Sequence, residues 1–127
     1  MKTIKSKSDK RIIVDVTMNG KEVPMLIDTG ATVGLVSNKL KGLVFDNRPL
    51  LPLQGFGSMG TAKGRRVVTQ GIIGDKNISQ FLATDIRNIQ SSIKAETGIT
   101  IEGVIGLPQM KFVGMIVDTS ANVIKIP

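Results

Sequence analysis

The residues best equipped for chemistry in this chain are Asp28, Thr29 and Gly30, within the string Leu26-Ile27-Asp28-Thr29-Gly30-Ala31-Thr32. Two apolar residues deliver a carboxylate, a hydroxyl and a glycine into a tight loop, so the lead-in is expected to be buried and the carboxylate presented at its end. The chain contains no Cys and no His. Their absence removes Ser-His and Cys-His nucleophiles, disulfides and the usual zinc ligands, leaving carboxylates, Lys and hydroxyls as candidate groups. Ser37 has no His to activate it and reads as a cap. One carboxylate cannot both activate water and protonate a leaving nitrogen at the same moment. Two that lie about 3 Å apart can, because they cannot both ionise: one stays protonated as general acid while the other acts as general base. The other Asp-Thr pair, Asp118-Thr119, is followed by Ser120. A chain of 127 residues has room for one core, so Asp118 is read as a turn residue bonding local amides rather than as the second half of an intramolecular pair. No metal or cofactor is expected.

Short β-rich runs must position that loop. Ile12 to Met18 and Lys21 to Ile27 flank Asn19-Gly20, two residues that tolerate the positive φ of a primed hairpin turn, and the second run leads directly into Asp28. Val36 to Leu40 reads as a hydroxyl-capped helical turn ended by Gly42. Gly55-Phe56-Gly57-Ser58-Met59-Gly60 is too rich in glycine for a strand interior and reads as a mobile hairpin tip. Further strands are expected at Arg65 to Thr69, Gly71 to Gly74 and Ile78 to Ile86, with a helical stretch from Asn88 to Glu96 stopped by Gly98. Gly103-Val104-Ile105-Gly106-Leu107 is an apolar run, Pro108 suits the first turn of a short helix, and Met115 to Asp118 with Val123 to Ile126 read as a closing hairpin. Many short strands with little helix predict an all-β, barrel-like domain over residues 12–127, preceded by a basic flexible tail over residues 1–11.

Hydrophobic residues make up 41% and charged residues 21%, the balance of a soluble globular domain. No window approaches the roughly 18 consecutive apolar residues of a bilayer span, and the opening residues lack the pattern of a secretory signal, so a cytoplasmic location without membrane contact is expected. The formal charge of +7 raises nucleic-acid binding as a reading. Against it, much of that charge falls in the N-terminal tail and in Lys63 to Arg66, read as a solvated loop. With no Trp, no Tyr and only four Phe, stacking surface is scarce, and nucleic acid is not expected as a partner.

Leu26 to Thr32 resembles the active-site loop of the retropepsin-like (retroviral-type) aspartic proteases. The Asn19-Gly20 hairpin is similar to that family's opening, Val104-Ile105-Gly106 looks like its second apolar-apolar-Gly element, and Ile116-Val117-Asp118 with Val123 to Ile126 resembles its closing strands. The resemblance implies a closed, mostly β barrel with one or two short helices, assembling as a homodimer that hydrolyses peptide bonds. Each copy would supply Asp28 to a shared dyad, Thr29 would bond across the dimer, Gly30 would let the loop backbone approach the site, and Ala31 and Thr32 would line the floor under a peptide substrate. Gly55, Phe56, Gly57, Ser58, Met59 and Gly60 would form a flap over it. Leu107-Pro108 stands where viral members carry an Arg and an acidic or amide residue, and a Gly-Leu step is closer to bacterial or phage members. An alternative is a catalytically weak or inactive module of the same fold that binds extended peptides as an added strand.

Overall fold

A computed structural model of the protein describes residues 1–47, 51–53 and 62–127. Strands β2 (Ile13–Met18) and β3 (Lys21–Ile27) form the expected hairpin. Asn19 and Gly20 both adopt positive φ, 51° and 77°, so Met18 pairs directly with Lys21. The chain then crosses from β3 to β4 (Gly34–Ser37), and β10 (Gly103–Ile105) inserts between those two strands. It runs parallel to β3, with Ile105 beside Ile27, and antiparallel to β4, with Val104 beside Leu35. All three residues of β10 are buried, which explains its uninterrupted apolar sequence: a strand covered on both faces cannot alternate. Gly103 is required there, since a Cβ would sit 2.9 Å from Leu35 O and 3.0 Å from the Met25 side chain.

The sheet extends from this centre in both directions. On one side lie β9 (Phe81–Thr84), β6 (Ala62–Arg66) and β5 (Leu51–Leu53); on the other lie β2, β7 (Gly71–Ile73) and β8 (Lys76–Ile78). No ladder joins β5 to β8 among the described residues, so this nine-stranded sheet curls without closing into the barrel that the sequence suggests. Its two faces bury separate cores. Val14, Val16, Met25 and Ile105 point to one, together with Met110, Ile124 and Ile126. Ile13, Leu26 and Val104 point to the other, where Ile86, Ile93 and Ile101 cover them. Ile93 belongs to α1 (Arg87–Thr97), which Gly98 ends in the left-handed conformation as expected. The second helix, α2 (Leu107–Val113), carries Pro108 in its first turn. The closing hairpin, β11 (Ile116–Asp118) and β12 (Val123–Ile126), also forms as read.

Residues 1–11 differ from the flexible tail that their charge suggests. Lys2–Lys5 is a strand, β1, paired antiparallel with β12 from Lys2 and Ile126 to Lys5 and Val123, giving a three-stranded sheet β1-β12-β11. Ile4 packs with the core that holds Ile124 and Ile126. Ser6 is buried; its hydroxyl oxygen accepts from the Ile13 N–H at 2.9 Å and lies 2.9 Å from Arg11 O. Lys2 and Lys5 are exposed on an edge strand, a common protection against stray pairing, and they mask the short apolar signal.

Three smaller differences follow from local geometry. Ser37 to Leu40 is a hydrogen-bonded turn rather than a helical one, with the Ser37 hydroxyl accepting from Lys39 N–H. The strand expected over Ile78 to Ile86 is broken by Gln80 at φ 70°, a conformation no strand sustains. Lys63, Arg65 and Arg66 lie in β6 rather than in a loop, and the Arg65 guanidinium stacks 4.2 Å from the centre of the Phe45 ring. The flap expected at Gly55, Phe56, Gly57, Ser58, Met59 and Gly60 lies outside the described residues.

Candidate active site

Asp28 stands where β3 ends, and its backbone continues the ladder by one more bond: its N–H donates to Ile105 O at 3.0 Å. The loop then turns tightly, with the Asp28 carbonyl accepting from Ala31 N–H at 3.1 Å and the carboxylate Oδ1 accepting from Gly30 N–H at 2.9 Å. These bonds fix both the main chain and one oxygen of the carboxylate. Gly30 keeps this close: a Cβ there would lie 3.3 Å from Asp28 Oδ1. Ala31 is buried, whereas Thr29, Gly30 and Thr32 are exposed. Burial of Leu26 and Ile27 behind a half-buried Asp28 is the arrangement the sequence string predicts.

The second apolar-Gly element forms the floor beneath this loop. Val104 and Ile105 are the last residues of β10, and Gly106 passes so near the loop that a Cβ would lie 2.7 Å from Val33 O and 2.9 Å from Ala31 O. Leu107 N–H donates to Ala31 O at 2.9 Å, tying the start of α2 to the loop. Gln109, which sequence reasoning did not single out, completes the brace. Its side chain is buried, its Oε1 accepts from Gly106 N–H at 3.0 Å, and its Nε2 donates to Ser79 O at 2.6 Å. It fills the space that Gly34, lacking a side chain, leaves open. The available signal was a lone amide three residues after a buried glycine, at the start of a short helix.

Asp118 is elsewhere and occupied. Its Oδ1 accepts from Ala121 N–H at 3.0 Å and its Oδ2 lies 3.8 Å from Lys125 Nζ, as expected of a turn residue. Arg11 Nε donates to Glu96 at 2.8 Å. The hydrogen bond and charge of Glu96 hold the guanidinium above its ordinary pKa, with a smaller contribution from the charge of Asp28. Arg11 in turn holds the Glu96 carboxyl below the usual carboxylate range. Beyond Thr32 a cavity of about 510 Å³ opens between Val33, Gly34, Arg66, Leu82 and Gln109, large enough for several side chains of an extended peptide.

An Asp-Thr-Gly loop at the end of β3, floored by the apolar-Gly element that ends the parallel strand β10, is a setting suited to the carboxylate of an aspartic protease. The profile of the aspartyl protease family matches residues 14–109, and the chain belongs to that family. Solved structures share the fold. The retroviral protease-like domain of Ddi1 from Leishmania major aligns with TM-score 0.62 and 19% identity, over 92% of this chain and 88% of that one. EIAV protease, solved with the inhibitor HBY-793, aligns with TM-score 0.55 and 18% identity, over 87% of this chain and 95% of that one. No match to a curated protein sequence was found. No helix among the described residues is long and apolar enough to cross a membrane.

Proposed function

We propose that the protein is an aspartic endopeptidase whose catalytic dyad consists of Asp28 from each of two copies. The observation that carries this reading is the held carboxylate at an open loop mouth: one oxygen fixed by Gly30 N–H, the neighbouring Thr29 and Gly30 exposed. Such a mouth suits a second loop of the same kind. Two carboxylates brought together there share one proton, since they cannot both ionise. The ionised member removes a proton from water, and the water oxygen attacks the peptide carbonyl carbon. The protonated member first supports the carbonyl oxygen, and the leaving nitrogen then takes a proton as the C–N bond breaks, giving a carboxylic acid and an amine. Thr29 bonds across the dimer beneath the carboxylates, and Ala31 and Thr32 face the substrate backbone. The cavity beyond Thr32 receives side chains flanking the scissile bond.

The test is cleavage of a mixed peptide pool followed by mass spectrometry. Replacing Asp28 with Asn should reduce turnover about 10²- to 10⁴-fold, the contribution of one positioned acid or base, with an unchanged circular-dichroism melt. An Asp28→Asn variant that cuts as fast as the parent would end this reading. Binding of extended peptides with no products from the parent would instead favour the peptide-binding module.

A further inference from the structure

The cavity beyond Thr32 adjoins a second one, of about 240 Å³, and the two share Ser79, Gln80, Pro108 and Gln109 in their walls. The hydrogen bond from Gln109 Nε2 to Ser79 O, at 2.6 Å, ties those shared walls together. The linings differ. Arg66 and Gln70 border the first cavity, whereas Ile78 of β8 and Phe112 of α2 complete the second, with Pro108 between them in sequence. α2 turns Gln109, Met110 and Val113 inward. Phe112 is left 84% exposed, the most exposed large apolar side chain among the described residues. A lone exposed ring is ordinary on a protein surface. One that walls an apolar cavity is placed to be covered, and covering it would be favourable.

Three observations choose what covers it. Sites for small molecules run to about 300–1,000 Å³, so a cavity of about 240 Å³ suits a single side chain. One exposed ring also falls far short of the roughly 1,000 Å² that a stable interface with another folded chain requires. The shared walls make the second cavity a continuation of the first, on a path that starts at the active-site loop. Leu107 N–H bonds Ala31 O in that loop. Phe112 lies five residues further along α2, about 7.5 Å, a length that an extended peptide covers in two or three residues. Charge points the same way: Lys76 and Lys111 are exposed close in sequence to Ile78 and Phe112, and neither takes part in an ion pair among the described residues.

We propose that Ile78, Pro108 and Phe112 form a distal side-chain site, which takes an apolar residue of the same extended peptide that enters at Asp28, roughly four to six residues from the scissile bond. Lys76 and Lys111 favour an acidic residue beside it. The inference rests on the reading that the Asp28 loop cuts extended peptides, and it names the class it selects: chains long enough to reach Phe112, with an apolar residue in an acidic setting there.

The first measurement is digestion of a pool of proteome-derived peptides by the parent and by Phe112→Ser, read by mass spectrometry. Phe112 is exposed, so Phe112→Ser should melt with the parent. Products of the parent should show Leu, Ile, Met or Phe enriched at one position roughly four to six residues from the cut, with Asp or Glu next to it. Phe112→Ser should lower the apolar enrichment by about tenfold, the scale on which a pocket reads an apolar side chain. Preferences beside the cut, and the cleavage of peptides too short to reach Phe112, should stay unchanged. Lys111→Glu should lower the acidic enrichment alone. No distal preference, or one that survives Phe112→Ser, would overturn the proposal.

The second measurement needs no cleavage. N-acetyl-phenylalaninamide titrated into the ¹⁵N-labelled parent should shift the amide signals of Ile78 and Gln80, and the same titration of Phe112→Ser should leave them in place. Signals unmoved in the parent would count against the site. Shifts in a parent that cuts no peptide would uphold the site and sink the protease reading, so the two failures are distinguishable.

Discussion

The floor beneath Asp28 and the sheet made by the chain's two ends are built on opposite principles. The floor is main chain against main chain: Asp28 N–H and Leu107 N–H bond Ile105 O and Ala31 O, and a Cβ on Gly106 would lie within 3 Å of Val33 O and Ala31 O. The terminal sheet adds side chains to its backbone ladders, with Ile4, Ile124 and Ile126 in a common core and Ser6 joining the arm to Arg11 and Ile13. The first arrangement leaves no room for a side chain at Gly106. The second loses contacts when a side chain is shortened, and its neighbours close that space only in part.

Substitutions should separate the two regions. The largest loss is expected from Gly106→Ala, whose methyl would collide with two carbonyl oxygens; overpacking of this kind costs about 3 kcal/mol, read as a shift in urea midpoint. Gln109→Leu keeps the volume but strips Gly106 N–H and Ser79 O of their partner, and about 2 kcal/mol should go with it. A Gln109→Leu protein as stable as the parent would show that the brace is dispensable. In the terminal arm, Ser6→Ala removes the acceptor of a buried N–H on Ile13 and should cost about 1 kcal/mol. Hydrogen exchange ought to show that loss confined to residues near β1 and Ile13, with the Asp28 loop as protected as before.

The smallest effect is expected at Arg11 and Glu96, a pair that is 48% and 36% exposed and therefore well screened. Its sign is nonetheless fixed. The Glu96 carboxyl titrates lower in the folded protein than in the unfolded chain, so the pair stabilises above the ordinary carboxylate range and that contribution is lost as pH falls through the lowered value. Melting curves of the parent and Glu96→Gln should differ slightly at neutral pH and converge in acid. Divergence in acid would mean that Glu96 has another partner there.

Much of the Asp28 side of the molecule was legible in the residues. Asn19-Gly20 needs a backbone that few residue types adopt, and the apolar string before Asp28 can only be a buried strand ending in a presented carboxylate. Pro108, Gly98 and the Asp118 turn were readable for the same reason, since each acts within a few residues of itself. Gln109 was not, because its partners are Ser79 and Gly106, and the distance of 30 residues to Ser79 leaves no periodic trace. β1 was hidden by its own protective lysines: composition read solvent exposure, but the strand is fixed by pairing with residues more than a hundred positions away. The split of Ile78 to Ile86 at Gln80 was missed because nothing about a glutamine announces positive φ.

The shortness of β11, which has no strand on its outer edge among the described residues, has a consequence for the chain in solution. An open apolar edge invites any extended chain, and long edges of that kind seed fibrils. Three residues offer a stray strand only two or three ladder bonds, too few to offset the entropy of ordering it. The edge is therefore selective by being small: it rewards a visitor that brings further contacts of its own and leaves others in solution, which should keep dilute preparations clear.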